Sequence, residues 1–184
     1  MPEVKTMYYY LGDLRGNAAS KEFVFMNQQE AKALGVSLYS EPSTKVDLKR
    51  IKEFKRNGYN VVLVCWSNAN TVSLMSLLKD KEAVRCLSGF INIRGRIHQK
   101  IPKWGLFEAN HNLVAIYSYN RKDNLGWTYG NELKFLYTFK NRFLSDRVHL
   151  LEDSIPHTGK APYRMIVALM EREIQIKLPP KVFK

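Results

Sequence analysis

The chain has 184 residues, 45% hydrophobic and 25% charged, which excludes a disordered polymer and suits one domain with a sizeable core. Its 29 Lys and Arg stand against 17 Asp and Glu, a net charge of +12, and such an excess attracts polyanions and favours phosphate contacts. No apolar run approaches the roughly 18 residues of a membrane span, the start Met1-Pro2-Glu3-Val4-Lys5 carries no signal peptide, and Cys65 and Cys86 make no disulfide framework, so a cytoplasmic or nuclear setting is expected.

Residues 7–11 read as a short buried strand, broken by Gly12 and Gly16. Asn27 with Glu30 forms a capping box and Gly35 a stop, which predicts a helix over 28–34. Thr44 and Asp47 mark a second helix start, Leu48, Ile51 and Phe54 give it an apolar stripe, and Asn57-Gly58 ends it. Its other faces carry Lys45, Lys49, Arg50, Lys52, Lys55 and Arg56 against Asp47 and Glu53. The run N-V-V-L-V-C-W from Asn60 to Trp66 has the pattern of a central strand buried on both faces. A helix over 71–79 follows, burying Val72, Leu74, Met75 and Leu78. Further strands are expected at 89–97, 113–119 and 132–139, a last helix over 162–173 with Pro at its first turn, and an edge strand over 174–178. The expected fold class is α/β: a single domain with a layered sheet and a largely parallel core.

Several segments carry candidate chemistry. In Arg94-Gly95-Arg96-Ile97-His98-Gln99-Lys100 a base stands at every second residue, so an extended chain would put all four on one face. With Lys103 and Trp104 following, the stretch suits phosphate contacts and base stacking on a single strand; the plainer reading is an edge strand with gatekeeper charges. Lys49, Lys52 and Arg56 offer a second basic face. His98, His111, His149 and His157 are scattered without metal-ligand spacing, so no metal is expected, and Cys65 has no local signature of a nucleophile. His157, Gly159 and Lys160 precede a helix start, a natural place for a carboxylate or phosphate, or for a plain cap with an exposed Lys. Leu11-Gly12-Asp13-Leu14-Arg15-Gly16-Asn17 is similar to the G-D-x-H-G-N motif of metallophosphatases, with Arg15 in place of the histidine.

Phe25 to Leu34, Val64-Cys65-Trp66-Ser67-Asn68, Gly126-Trp127 with Asn131-Glu132 and the strand after it, and Ile155 to Pro162 resemble, in that order, segments of the adenine-specific amino-methyltransferases. That family contains the messenger-RNA adenine methylases. The resemblance implies a Rossmann-like methyltransferase fold with S-adenosylmethionine as cofactor, and it places Asn68, His157 and Lys160 on the cofactor. Where the family has its D-P-P-W tetrapeptide this chain reads Gly12-Asp13-Leu14-Arg15, which leaves Asp13 as acceptor for the exocyclic amine. Three functions follow as expectations. The first is a nucleic-acid-binding module with a degenerate catalytic motif, gripping single-stranded RNA or DNA alongside a catalytic protein partner. The second is an active S-adenosylmethionine-dependent adenine methyltransferase, and the third a metal-dependent phosphoesterase built on Asp13.

Overall fold

The computed structural model describes residues 3–12, 24–95, 104–123 and 146–177. Among them, strands β1 (Thr6–Leu11), β2 (Ser37–Glu41), β3 (Asn60–Trp66), β4 (Leu87–Ile93), β5 (Val114–Tyr119) and β6 (Val148–Glu152) form one parallel sheet in the order β2-β1-β3-β4-β5-β6. Helices α2 (Leu48–Arg56), α3 (Ala69–Leu77), α4 (Lys81–Cys86) and α5 (Trp104–Ala109) contribute to the core on one face of it, and α1 (Gln28–Ala33) and α6 (Tyr163–Lys177) to the core on the other. The coarse expectation, an α/β layered sheet with a parallel core, matches this arrangement.

Strand β3 shows why. All seven of its residues are buried. Side chains alternate across a strand, so Val61, Leu63 and Cys65 enter one core while Val62, Val64 and Trp66 enter the other. Burying each such aliphatic side chain contributes about 1.5–3 kcal/mol, and only a strand covered on both faces collects that on every residue. On β4, Gly89 has a packing role: a Cβ there would lie 2.5 Å from the sulfur of Met170 on α6. The glycine lets that helix settle close against the sheet.

Local signals position several elements. The capping box of α1 is present, with Asn27 Oδ1 accepting from the Glu30 amide and the Glu30 carboxylate accepting from the Asn27 amide, both at 2.9 Å; Gly35 follows at φ +71°. Helix α2 begins at Asp47 rather than Thr44, because the Asp47 side chain accepts from the amides of Lys49 and Arg50. Helix α3 starts two residues earlier than expected and buries Ala69, Asn70, Ser73, Leu74 and Leu77, leaving Met75 51% exposed. Of the expected edge strand over 174–178, the described residues to Lys177 are instead the last turn of α6, which buries Ile174. The expected strand over 89–97 stops at Ile93, where Arg94 turns the chain at φ +48°. Strands β2 and β6 and helices α4 and α5 were not expected, and the expected strand over 132–139 lies outside the described residues. Among the described residues no helix is long and apolar enough to cross a membrane.

The strand order places the functional region. From β1 the chain first adds β2 on one side, then crosses back to build β3 to β6 on the other. In open doubly wound sheets such a reversal leaves a crevice at the carboxyl ends of the two central strands, where ligands bind. Here β1 ends at Leu11, and β3 ends at Trp66, one residue past Leu11's register partner Cys65.

Candidate active site

Just past that end of β3, two residues turn the chain into α3. The first, Ser67, has φ +53° and is 4% exposed. A left-handed conformation costs a non-glycine residue on the order of 1 kcal/mol or more, so the surroundings must enforce it. The Ser67 amide donates to the Ile93 carbonyl at 3.0 Å. The buried Asn70 side chain donates from below to the carbonyls of Cys65 (2.8 Å) and Ser67 (3.0 Å). Gly95 makes room for Asn70, since a Cβ there would lie 2.0 Å from the amide nitrogen. A serine on a tight strand-to-helix turn above a parallel sheet has the geometry of a nucleophile elbow.

The other two members arrive from distant loops. His157 lies between β6 and α6, with Nε2 2.9 Å from Ser67 Oγ and Nδ1 2.6 Å from Asp123 Oδ2. Asp123 follows β5 in a turn closed by its own amide on the Asn120 carbonyl, and its side chain is 1% exposed. A carboxylate only accepts, so Nδ1 carries the proton toward Asp123 and Nε2 is left as the base facing the Ser67 hydroxyl. The three therefore stand in the relation of nucleophile, general base and orienting acid, and their chain order, Ser, Asp, His, is that of the α/β-hydrolases. The Asn68 amide, at the electropositive start of α3, has no partner among the described residues. It is a donor available for an oxyanion. Cys65 has no part in this chemistry: it is fully buried, and burial pushes its thiol up to about 12.

Comparison with known proteins bears out the fold. No family model and no curated protein sequence matches the chain. Among solved structures it is similar to a Thermus thermophilus protein (TM-score 0.63, 15% identity, covering 95% of this chain and 92% of that one). It is also similar to a Bacillus cereus protein (TM-score 0.66, 14% identity, 95% of this chain), of which it spans only 62%. A third likeness is to the metagenome-derived lipolytic enzymes LipS and LipT (TM-score 0.59, 10% identity, 94% and 95%). Identities this low speak for the fold alone.

These findings overturn the methyltransferase reading. The fold shared with these structures is of the α/β-hydrolase type rather than the Rossmann-like methyltransferase type. Of the segments that resemble methylase motifs, residues 126–127 and 131–139 lie outside the described residues, and the others build different features. Val64 to Asn68 is the end of β3 and its turn, so Asn68 sits beside Ser67 at the start of α3, and the fold gives no support to an S-adenosylmethionine site there. The segment from Ile155 to Pro162 carries His157, whose imidazole lies between Ser67 and Asp123. Lys160 is occupied, its ammonium paired with Glu30 and lying 4.9 Å from the centre of the Tyr163 ring.

The nucleic-acid reading is overturned too. Arg94 is fully buried and directs its guanidinium to the carbonyls of His157 and Gly159, because the strand ends before it and the expected alternation never reaches it. Lys52 is held by Asp80 and Glu82 at 2.9 and 3.1 Å, while Lys49 and Arg56 lie on the solvated side of α2. Trp104 opens α5. Asp13, Arg96, His98, Lys100 and Lys103 lie outside the described residues, and with Asp13 the phosphoesterase motif does as well; among the described residues no group of side chains is arranged to hold a metal ion.

The Lys160 pair has a measurable consequence. Burial pushes the Glu30 carboxyl up, but hydrogen bonds from Lys160 and the Asn27 amide, with the Lys160 charge, bring it below its ordinary 4.5. A carboxyl depressed in the folded state stabilises above its unfolded pKa, and that contribution is lost as pH falls through the folded value. Denaturant midpoints of Lys160→Met should therefore fall less than those of the wild type on acidification below about pH 4.5. Parallel acid profiles would show that the pair contributes nothing.

Proposed function

We propose that this chain is a serine hydrolase that cleaves acyl esters or thioesters through Ser67. The observation that carries the reading is the relay from the buried Ser67 through the part-buried His157 to the buried Asp123, with contacts of 2.9 and 2.6 Å, mounted on a left-handed turn at the sheet's switch point. His157 Nε2 takes the Ser67 proton as Oγ attacks the carbonyl carbon. The oxyanion that forms accepts a hydrogen bond from the Asn68 amide, and collapse expels the alcohol or thiol, which takes its proton from His157. Water then repeats the attack on the acyl-Ser67 ester, with His157 again the base. Asp123 keeps the imidazole in the right tautomer and stabilises its charged form. The shared fold with the lipolytic LipS and LipT agrees with this chemistry.

A fluorophosphonate probe tests it, since such reagents phosphonylate serines activated by a neighbouring base. The expected result is one label per chain, mapped by peptide mass spectrometry to Ser67, and hydrolysis of p-nitrophenyl acyl esters that the label abolishes. A protein that neither labels nor hydrolyses any acyl length would sink the proposal.

A further inference from the structure

We propose that Arg94 and Trp66 are positioning residues for the general base, clamping the main-chain carbonyl of His157 so that its imidazole stays on Ser67. This rests on the serine-hydrolase reading. The loop between β6 and α6 has no strand ladder at His157. Instead the His157 carbonyl accepts from Trp66 Nε1 at 3.1 Å and from an Arg94 guanidinium nitrogen at 3.2 Å, and that same nitrogen reaches the Gly159 carbonyl at 2.5 Å.

Other contacts hold the rest of the loop without the clamp. The Ile155 amide donates to Asp153 and the Ile155 carbonyl accepts from Asn120, both at 2.8 Å, and the Ala161 amide donates to the Val24 carbonyl at 2.7 Å. The clamp therefore acts at His157 itself. Its two arms come from different strands. Trp66 immediately precedes the nucleophile, and its rigid ring lies 5.6 Å from the imidazole. Arg94 follows β4 with its amide on the Ser118 carbonyl at 2.8 Å, and its guanidinium lies 3.7 Å from Asp153. At 0% exposure these charge-assisted bonds face no competition from water, which strengthens them. The imidazole moves with its own backbone, and a shift of about 1 Å in a reacting group can cost roughly 10²-fold in rate.

The test uses Arg94→Lys and Trp66→Phe in the full chain, at temperatures well below each melting point. Lysine keeps the charge but, with a flexible stem one atom shorter, loses the planar guanidinium whose terminal nitrogen is held within reach of both carbonyls; phenylalanine keeps a ring but loses the donor. The expected result is kcat lowered roughly 10- to 100-fold in Arg94→Lys and roughly 3- to 10-fold in Trp66→Phe, with KM and the folded fraction unchanged and fluorophosphonate labelling slowed in step. Wild-type kcat in both folded variants overturns the clamp, as does a loss confined to KM or matching the unfolded fraction. Should Arg94→Lys not fold, an unchanged kcat in Trp66→Phe overturns it alone. A wild-type protein inert to probe and ester brings down the hydrolase reading and the clamp with it, whereas an active wild type with unaffected variants brings down only the clamp.

Discussion

Ser67→Ala is expected to lower kcat for an activated acyl ester by roughly 10⁶-fold, the loss seen when a triad nucleophile is removed from a serine hydrolase. Serine and alanine differ by one hydroxyl, and the Ser67 main chain is held by the Ile93 carbonyl and the Asn70 side chain. The fold should therefore survive and the melting temperature stay near that of the wild type. KM should change little, because the hydroxyl forms its decisive bond only as the transition state is reached. What remains would be the activity of the Asn68 amide and the bound geometry alone. Steady-state kinetics on a p-nitrophenyl ester, with far-ultraviolet circular dichroism as the folding control, measure both quantities. Wild-type hydrolysis by the variant would put the chemistry on another group.

Asp123→Asn carries the second-largest effect, a fall in kcat of roughly 10⁴-fold. The carboxylate can only accept, and so it holds the His157 proton on Nδ1 at 2.6 Å. An amide of the same size can offer an N–H instead, which favours the proton on Nε2, the atom that must receive the Ser67 proton. It also removes the negative charge that stabilises the imidazolium as the serine attacks. Substrate affinity should be unchanged, while fluorophosphonate labelling of Ser67 should slow in proportion to kcat. A variant that labels at the wild-type rate would show that Asp123 does not set the state of His157.

Much of the scaffold was legible because local chemistry and tertiary packing agree there. The unbroken apolar run of β3, the Asn27–Glu30 capping box and the Leu48, Ile51 and Phe54 stripe of α2 each declare themselves within a few residues. Elements of five or six residues such as β2, α4 and β6 do not, because so short a stretch holds less than two turns or three alternations of pattern. The site was illegible for a different reason. An elbow serine is normally announced by glycines two residues to either side, and here those places hold Cys65 and Ala69. Asp123 sits among polar residues like any turn aspartate. The signals beside His157, namely Gly159, Lys160 and Pro162, describe a helix start equally well. Ser67, Asp123 and His157 become neighbours only in space, 90 residues apart at their widest. One signal was available: a buried central strand ending in a polar Ser just before a helix, with an Asp and a His later in the chain. Arg94 escapes the period-two pattern of the residues after it because β4 stops at Ile93.

The order of strands also gives the site a timetable. Ser67 rides on β3 in the middle of the sheet, whereas Asp123 and His157 follow β5 and β6, the last of which closes one side of the described sheet. Parallel pairings between segments far apart in sequence form late in folding, since each must first close a long loop. A chain still being made, or one whose final strand and helix have peeled away, would hold Ser67 on a finished elbow with no base beside it. On the hydrolase reading such a chain would be inactive. Turnover would begin, on the same reading, only when β6 and the loop that carries His157 dock, so activity would report that the described sheet is complete.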